Sequence, residues 1–164
     1  MASDLTVGGS QAVILTGVRR SGKSTLQAQL MRRAENPFYC NFEDTRLFGL
    51  GPDDFPTFLS VLDELAAPDQ PLFLDEVQEV EGWQRLVRTL LDRGRQVCVT
   101  GSNASLLGRE LGAKLTGRHL SFEVFPFSYT EYLAFTGKDR GADSFRAYLD
   151  DGGDRKSTRL NSSH

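Results

Sequence analysis

The chain is poor in cysteine and histidine and has no long hydrophobic run. Two cysteines and two histidines in 164 residues exclude a disulfide scaffold, a Ser-His-Asp or Cys-His catalytic site and a histidine-rich metal cluster. No apolar run approaches the roughly 18 residues of a membrane helix, and the N-terminus has neither the basic start nor the apolar core of a secretory signal. Cys40 and Cys98 lie in apolar runs and are predicted to be buried free thiols. We therefore expect a cytoplasmic protein without a membrane segment.

The chain also has no excess of positive charge. Its last eleven residues, DRKSTRLNSSH at 154–164, reproduce one reading frame of a widely used sequencing adapter and show no apolar periodicity. We expect them to be non-native, and we expect the natural protein to continue past Gly153. They hold three basic residues and one acidic residue, so the formal net charge falls from −3 to −5 without them. Such an acidic chain shows no basic footprint for nucleic acid.

Hydrophobic residues make up 39% of the sequence, which is enough for the core of one domain. Apolar runs typical of strands alternate with the three-and-four spacing of helices. The five predicted strands are 11–16, 38–42, 72–75, 96–100 and 119–124. Strands joined through helices indicate a largely parallel sheet covered on both faces. Ser128 begins the capping-box pattern of a further helix, and Ser144 is predicted to cap a last one.

The strongest motif is GVRRSGKS, from Gly17 to Ser24, which fits G-x-x-x-x-G-K-[ST] between a strand and a helix. The glycines let backbone N–H groups turn inward around phosphates at the positive end of the following helix. Lys23 can reach the β- and γ-phosphates, and the Ser24 hydroxyl can ligate Mg²⁺. The alternative is a glycine-rich turn that matches the motif by accident, but this would not explain why a strand precedes it and a helix follows it. The motif therefore predicts a nucleotide phosphate site.

Two carboxylates end the third predicted strand, in the segment LFLDE. A parallel sheet presents ligands at the carboxyl ends of its strands. Asp75 is placed there to hold the Mg²⁺ shell, and Glu76 to orient and deprotonate an attacking water. A glutamate beside the metal-binding aspartate favours hydrolysis over transfer to a second substrate. The alternative is an acidic strand end that faces solvent.

From Ala12 to Gly153 the sequence resembles the AAA+ ATPases, and more narrowly the bacterial and archaeal group whose ATPase core precedes a C-terminal domain of unknown function. The matching strings are LTGVRRSGKSTL, FYCNFED, LFLDEVQEVEGW, VTGSNASLL, LTGRHLSFEVFPFSYTEYL and YLDDGG. The resemblance implies an α/β fold of the P-loop NTPase type, a three-layer sandwich with a mostly parallel five-stranded sheet. It divides the chain into a lead-in at 1–10, an ATPase core at 11–136 and the start of a truncated helical region at 137–153, with the lid domain missing.

The resemblance also implies site residues. Asp75 would serve Mg²⁺ and Glu76 would be the catalytic base, while the loop would bind the ATP phosphates through Gly17, Val18, Arg19, Arg20, Ser21, Gly22, Lys23, Ser24 and Thr25. A γ-phosphate sensor is implied within TGSN at the end of the fourth strand, where we favour Ser102 over Asn103. The alternative there is a cap for a helix at 104–111.

Arg118 occupies the position of an arginine finger in the resembling family. Such a cation neutralises charge on the transferring phosphoryl group. It would reach the nucleotide of a neighbouring subunit, so this role implies a homo-oligomer. The alternative is an ion pair with a nearby carboxylate, which arginine forms as readily.

We therefore expect an Mg²⁺-dependent ATPase that couples hydrolysis of ATP to a conformational change in a C-terminal domain outside this chain. One alternative is a nucleotide-gated switch with little turnover. Another is a small-molecule kinase on the same loop, although neither an acceptor pocket nor an arginine-rich lid can be located. No motif in the sequence indicates the molecule on which such an ATPase acts. DNA is implied as a partner only by the resemblance, because family members carry a nuclease-like C-terminal region.

Overall fold

The computed structural model describes residues 11–102, 115 and 117–151. One five-stranded sheet has the order β2-β3-β4-β1-β5, with every neighbouring pair parallel; its strands are β1 (Ala12–Thr16), β2 (Phe38–Asn41), β3 (Leu72–Asp75), β4 (Val97–Gly101) and β5 (His119–Glu123). The helices are α1 (Lys23–Met31), α2 (Phe55–Leu65), α3 (Trp83–Asp92), α4 (Tyr129–Thr136) and α5 (Ala142–Asp151). The predicted α/β fold is confirmed, with strand ends that differ by one residue at most. The lead-in at 1–10, the helix predicted at 104–111 and the tail at 154–164 lie outside the described residues.

Helices cover both faces of the sheet, and its three central strands, β1, β3 and β4, are buried at every position. In β1, Val13 and Leu15 pack with Leu30 of α1. Ala12 and Ile14 point the other way, into a larger cluster with the buried faces of α2 and α3. Successive side chains of a strand alternate between the two faces, so a continuously apolar strand feeds two cores. The result is the predicted three-layer arrangement.

Both cysteines are free thiols, as predicted. Cys98 is buried in β4 and burial raises its pKa to about 12. Cys40 in β2 is only half-buried, whereas the sequence predicted burial, because β2 is an edge strand of the sheet. Burial still raises the pKa of Cys40 to about 11. At neutral pH both side chains are therefore protonated and unreactive as nucleophiles.

The parallel register gathers the carboxyl ends of the strands at one edge of the sheet, which we call the carboxyl edge. Thr16 of β1 lies beside Gly101 of β4, and Asn41 of β2 lies beside Asp75 of β3. The phosphate loop, which follows β1, therefore starts next to the polar end of β4. The segment in which the resemblance implies a sensor therefore begins beside the strand that leads into the loop.

The two C-terminal helices pack on each other through aromatic rings. Ser128 caps α4 in a capping box with Glu131, as predicted. Tyr129 and Tyr132 of α4 contact the ring of Tyr148 in α5, with centroid distances of 5.5 and 5.4 Å. The prediction that Ser144 caps the last helix is wrong, because α5 begins at Ala142 and Ser144 lies inside it. The Ser144 hydroxyl instead accepts the backbone N–H of Gly141, at 3.0 Å, three residues before it.

Candidate functional site

The phosphate loop is folded in a way that only glycine permits at its first position. Gly17 has a φ of +147°, and a Cβ built on it would lie 2.2 Å from the backbone oxygen of Val124. Gly22, with a φ of +100°, is the left-handed residue that leads into α1. These two conformations bring the chain sharply from β1 into the helix, because glycine has no Cβ to clash. The first turn of α1 is therefore aimed into the loop.

The interior of the loop suits an anion. Lys23 is only 4% exposed, and its Nζ donates to the backbone oxygen of Val18, at 3.1 Å, so the ammonium group lies folded over the loop. The first turn of α1 contains no acidic residue, and the N–H groups of a first helical turn have no partners within the helix. The buried hydroxyl oxygen of Ser21 has no hydrogen-bond partner among the described residues. A lysine, a positive helix end and an unused hydroxyl fit bound phosphate oxygens.

Asp75 ends β3 and is 5% exposed. Its Oδ1 accepts a hydrogen bond from the hydroxyl of Thr100, and its Oδ2 accepts one from the hydroxyl of Tyr39, at 3.0 Å. Burial and the negative charge of Asp75 raise the pKa of Tyr39 above its usual range. Both donors are neutral, and each carboxylate oxygen retains a lone pair. The carboxylate is therefore fixed in place and still able to accept a metal-bound water.

Glu76 has a left-handed backbone, with φ +53° and ψ +50°. A non-glycine residue in this region costs roughly 1–3 kcal/mol and is maintained by its surroundings. The Glu76 N–H donates to Oγ1 of Thr100, at 3.0 Å, and its Oε2 accepts from Nε2 of Gln78, at 2.7 Å. The carboxylate of Asp75 is bound by two hydroxyl groups and that of Glu76 by an amide, so these neighbouring acids have different surroundings.

One cleft of about 540 Å³ brings the loop and the two acids together. It is lined by Arg19, Arg20, Gly22, Lys23, Ser24 and Thr25 from the loop and α1, and by Asn41, Glu43, Asp75 and Glu76 from the ends of β2 and β3. Of the remaining loop residues, Gly17 and Ser21 are buried and Val18 is exposed. The described residues contain no group of three or more His, Cys, Asp or Glu side chains that could hold a metal ion. A cation here would depend on Ser24, Asp75 and the phosphates themselves, which suits Mg²⁺.

Two predicted site residues, Ser102 and Arg118, do not line the cleft. Ser102 follows β4 and its backbone N–H donates to Oε1 of Gln78, at 3.2 Å; its neighbour Asn103 is outside the described residues. Arg118 lies at the opposite, amino edge of the sheet, where its backbone oxygen accepts the N–H of Ala12. Its guanidinium contacts Asp92, at 2.5 Å, and donates to the backbone oxygen of Leu91. The structure therefore connects Ser102 to Glu76 through Gln78 and leaves Arg118 at the opposite end of the strands, away from the cleft.

Sequence reasoning missed three residues that hold the acids. Thr100 lies within the segment named for the sensor, but its part in binding Asp75 and Glu76 depends on β4 pairing with β3. Gln78 lies two residues after Glu76, and its amide reaches the Glu76 carboxylate because the backbone reverses at Glu76. Tyr39 belongs to an edge strand, and nothing in its sequence context indicates a contact with Asp75.

A family model described as an AAA domain matches residues 9–133. The chain belongs to the AAA domain family. The motifs at 17–24 and 72–76 fall inside this match, which supports a nucleotide-binding, ATPase-like function for the domain.

Two curated relatives match about three quarters of this chain. An uncharacterized protein of Methanocaldococcus jannaschii is 35% identical over 124 residues, which are 74% of this chain and 28% of that protein. An uncharacterized protein of Haemophilus influenzae is 36% identical over 131 residues, covering 73% of this chain and 32% of that protein. The chain thus spans about a third or less of the length of these curated relatives.

The structure of C. elegans PCH-2 is similar with a TM-score of 0.51 and 19% identity, covering 87% of this chain and 41% of that one. At this identity the likeness concerns the fold alone, and it agrees with an AAA+ arrangement of sheet and helices.

None of the helices that the structure describes between residues 11 and 151 has the length and apolar character to cross a membrane.

Proposed function

We propose that this AAA domain binds ATP with Mg²⁺ at the carboxyl edge and hydrolyses the γ-phosphate, and that hydrolysis changes the conformation of a part of the protein outside this chain. The observation that supports this most directly is that Lys23, Asp75 and Glu76 line one cleft. A cation for phosphate, a carboxylate for the metal and a second carboxylate for water are the groups that phosphate hydrolysis needs. Lys23 is distant from the two acids in the sequence, and the fold brings all three residues into this cleft.

Each of these residues has a distinct role in the proposed reaction. Lys23 and the N–H groups of the loop would hold the β- and γ-phosphates against the end of α1. Mg²⁺, when bound, neutralises charge on the phosphate oxygens, and Ser24 and Asp75 are the residues that would hold it. Thr100 and Tyr39 keep the Asp75 carboxylate oriented. Glu76 would accept a proton from the attacking water.

Two further residues complete the proposal. Ser102, at the end of β4, would contact the γ-phosphate or the attacking water. Arg118, on the amino edge, would complete the site of a neighbouring subunit in a homo-oligomer, after release from Asp92. Its present contact with Asp92 is the ion pair that the sequence leaves open as the alternative, so the finger role predicts that oligomerisation breaks this pair.

The test is phosphate release by the wild type and by Glu76→Gln, together with calorimetric titration of MgATP into both. We expect Glu76→Gln to bind MgATP with unchanged affinity and to lose turnover by about 10²–10⁴-fold, the usual contribution of a general base. Glu81→Gln is the control, because Glu81 is an exposed acid that does not line the cleft. Tight binding with negligible, Glu76-independent turnover would identify a switch instead. Phosphorylated product that forms only with an added acceptor would identify a kinase.

A further inference from the structure

The carboxylate of Glu76 is held by a side chain of its own turn. Nε2 of Gln78 donates to Oε2 of Glu76, at 2.7 Å, and lies 3.3 Å from Oε1 of Glu79. On its other side, Oε1 of Gln78 accepts the backbone N–H of Ser102, at 3.2 Å. One amide therefore connects the proposed base to the residue that follows β4.

The chemistry of these partners fixes which way the amide points. An amide NH₂ group only donates and an amide oxygen only accepts. In the reverse orientation the oxygen of Gln78 would face two carboxylates and its NH₂ would face the Ser102 N–H. All three contacts would then be repulsive, so the observed orientation is the one that the site allows.

The local fold explains why Gln78 can reach back to Glu76. The left-handed conformation of Glu76 begins a 3₁₀ turn at Val77–Glu79. Val77 and Val80 are 1% and 2% exposed, and their burial in the larger core anchors this turn on both sides of Gln78. The Glu76 backbone is itself bound to Thr100 of β4. The backbone of Glu76 is thus bound to β4 through Thr100, and its side chain is connected through Gln78 to Ser102, the residue after β4.

We propose that Gln78 is a positioning residue, which fixes the Glu76 carboxylate relative to the end of β4. This inference rests on the proposed role of Glu76 as the base. Because Gln78 contacts Ser102 and Glu76 at once, a shift at the end of β4 moves the carboxylate as well.

The first test needs no nucleotide. Urea unfolding of the wild type, Glu76→Ala, Gln78→Ala and the double variant forms a double-mutant cycle, in which the backbone strain at Glu76 cancels. We expect the double variant to lose less stability than the sum of the two single losses, since the contact can be removed only once. Additive losses would overturn the contact on which the inference depends.

The second test separates positioning from binding. Gln78→Glu keeps an acceptor for the Ser102 N–H but puts a carboxylate against Glu76, whereas Gln78→Ala removes both bonds. We expect both variants to lower kcat at least tenfold while the Kd for MgATP stays within twofold of the wild type. Glu79→Gln is the matched control, because it alters the third contact of Gln78 and not Glu76, and its kcat should stay unchanged. A kcat of Gln78→Ala equal to or above the wild type overturns the inference.

The two proposals fail in different ways. Turnover that is insensitive to Glu76→Gln contradicts the proposed function, and with it the base that Gln78 would position. Turnover that depends on Glu76 but not on Gln78 contradicts this inference alone.

Discussion

The carboxyl and amino edges of the sheet hold their charged groups differently. At the carboxyl edge, the partners of Lys23, Asp75 and Glu76 are a carbonyl, hydroxyls and amides, all without net charge. At the amino edge, Arg118 is paired with the carboxylate of Asp92. The charges of Lys23, Asp75 and Glu76 are thus oriented by neutral groups, whereas the charge of Arg118 is paired with a carboxylate.

Backbone strain follows the same division. Three described non-glycine residues have a positive φ, and two of them, Arg20 and Glu76, belong to the carboxyl edge. The third is Asn36, and asparagine tolerates this conformation better than most residues. Backbone strain of this kind clusters at functional sites. From this difference we expect substitutions at the carboxyl edge to change ligand binding and substitutions at the amino edge to change mainly the stability of the fold.

The largest effect should come from Gly17→Ala at the carboxyl edge. The added Cβ would overlap the backbone oxygen of Val124, so we expect a loss of about 3 kcal/mol in the free energy of unfolding and loss of MgATP binding. Gly94→Ala at the amino edge is the control, since Gly94 also has a positive φ, of +76°, but its added Cβ meets nothing within 4 Å. Equal losses in urea unfolding for the two variants would contradict the steric account.

Arg95→Ala should weaken the amino edge alone. Arg95 is 4% exposed and donates to the backbone oxygen of Ala66 at the end of α2. Removing its buried stem and these bonds should cost about 2 kcal/mol of unfolding free energy. We expect the affinity for MgATP to stay within twofold, by calorimetry. A large loss of affinity in a folded variant would break the separation between the edges.

Tyr39→Phe should have a smaller effect that depends on pH. Loss of the bond to Asp75 should cost about 1 kcal/mol at neutral pH. The pKa of Tyr39 is raised in the folded chain, so its contribution is complete below the unfolded pKa of about 10 and declines as pH rises through the folded value. Urea unfolding at increasing pH should therefore show the gap between wild type and variant closing above pH 10. A gap that widens there would refute the assignment.

Arg118→Ala should have the smallest effect on stability. Its pair with Asp92 is partly exposed, and such pairs contribute about 0–1 kcal/mol. Arg88→Ala is the matched control, because Arg88 faces the same carboxylate from 3.9 Å. Turnover of Arg118→Ala should fall only where the protein oligomerises, as followed by light scattering. An equal fall in a verified monomer would exclude a role in a neighbouring site.

The fold could be predicted from sequence because its signals are local. The apolar residues 72–74 of β3 and the apolar stripe of α3 indicate burial directly, and the loop motif predicts a strand before it and a helix after it. The predicted position of Ser144 is wrong because a serine hydroxyl near the start of a helix can bond to backbone groups that follow it or precede it in the sequence. The sequence does not distinguish these two cases.

The phosphate loop and the two acids were predictable as types of residue, but the contacts that orient the acids were not. Tyr39, Thr100 and Gln78 act through strand order and through the reversal at Glu76. Both are properties of the assembled sheet. No spacing along the chain encodes that a phenol from β2 reaches a carboxylate on β3.

The most direct measurement is calorimetric titration of MgATP into Glu76→Gln with and without Lys23→Ala, so that binding is observed without turnover. We expect saturable binding by Glu76→Gln and at least tenfold weaker binding when Lys23 is also replaced, a loss of about 1.4 kcal/mol. Lys138→Ala in the same background is the control and should bind normally. Equal affinity with and without Lys23 would show that the carboxyl edge is not the nucleotide site.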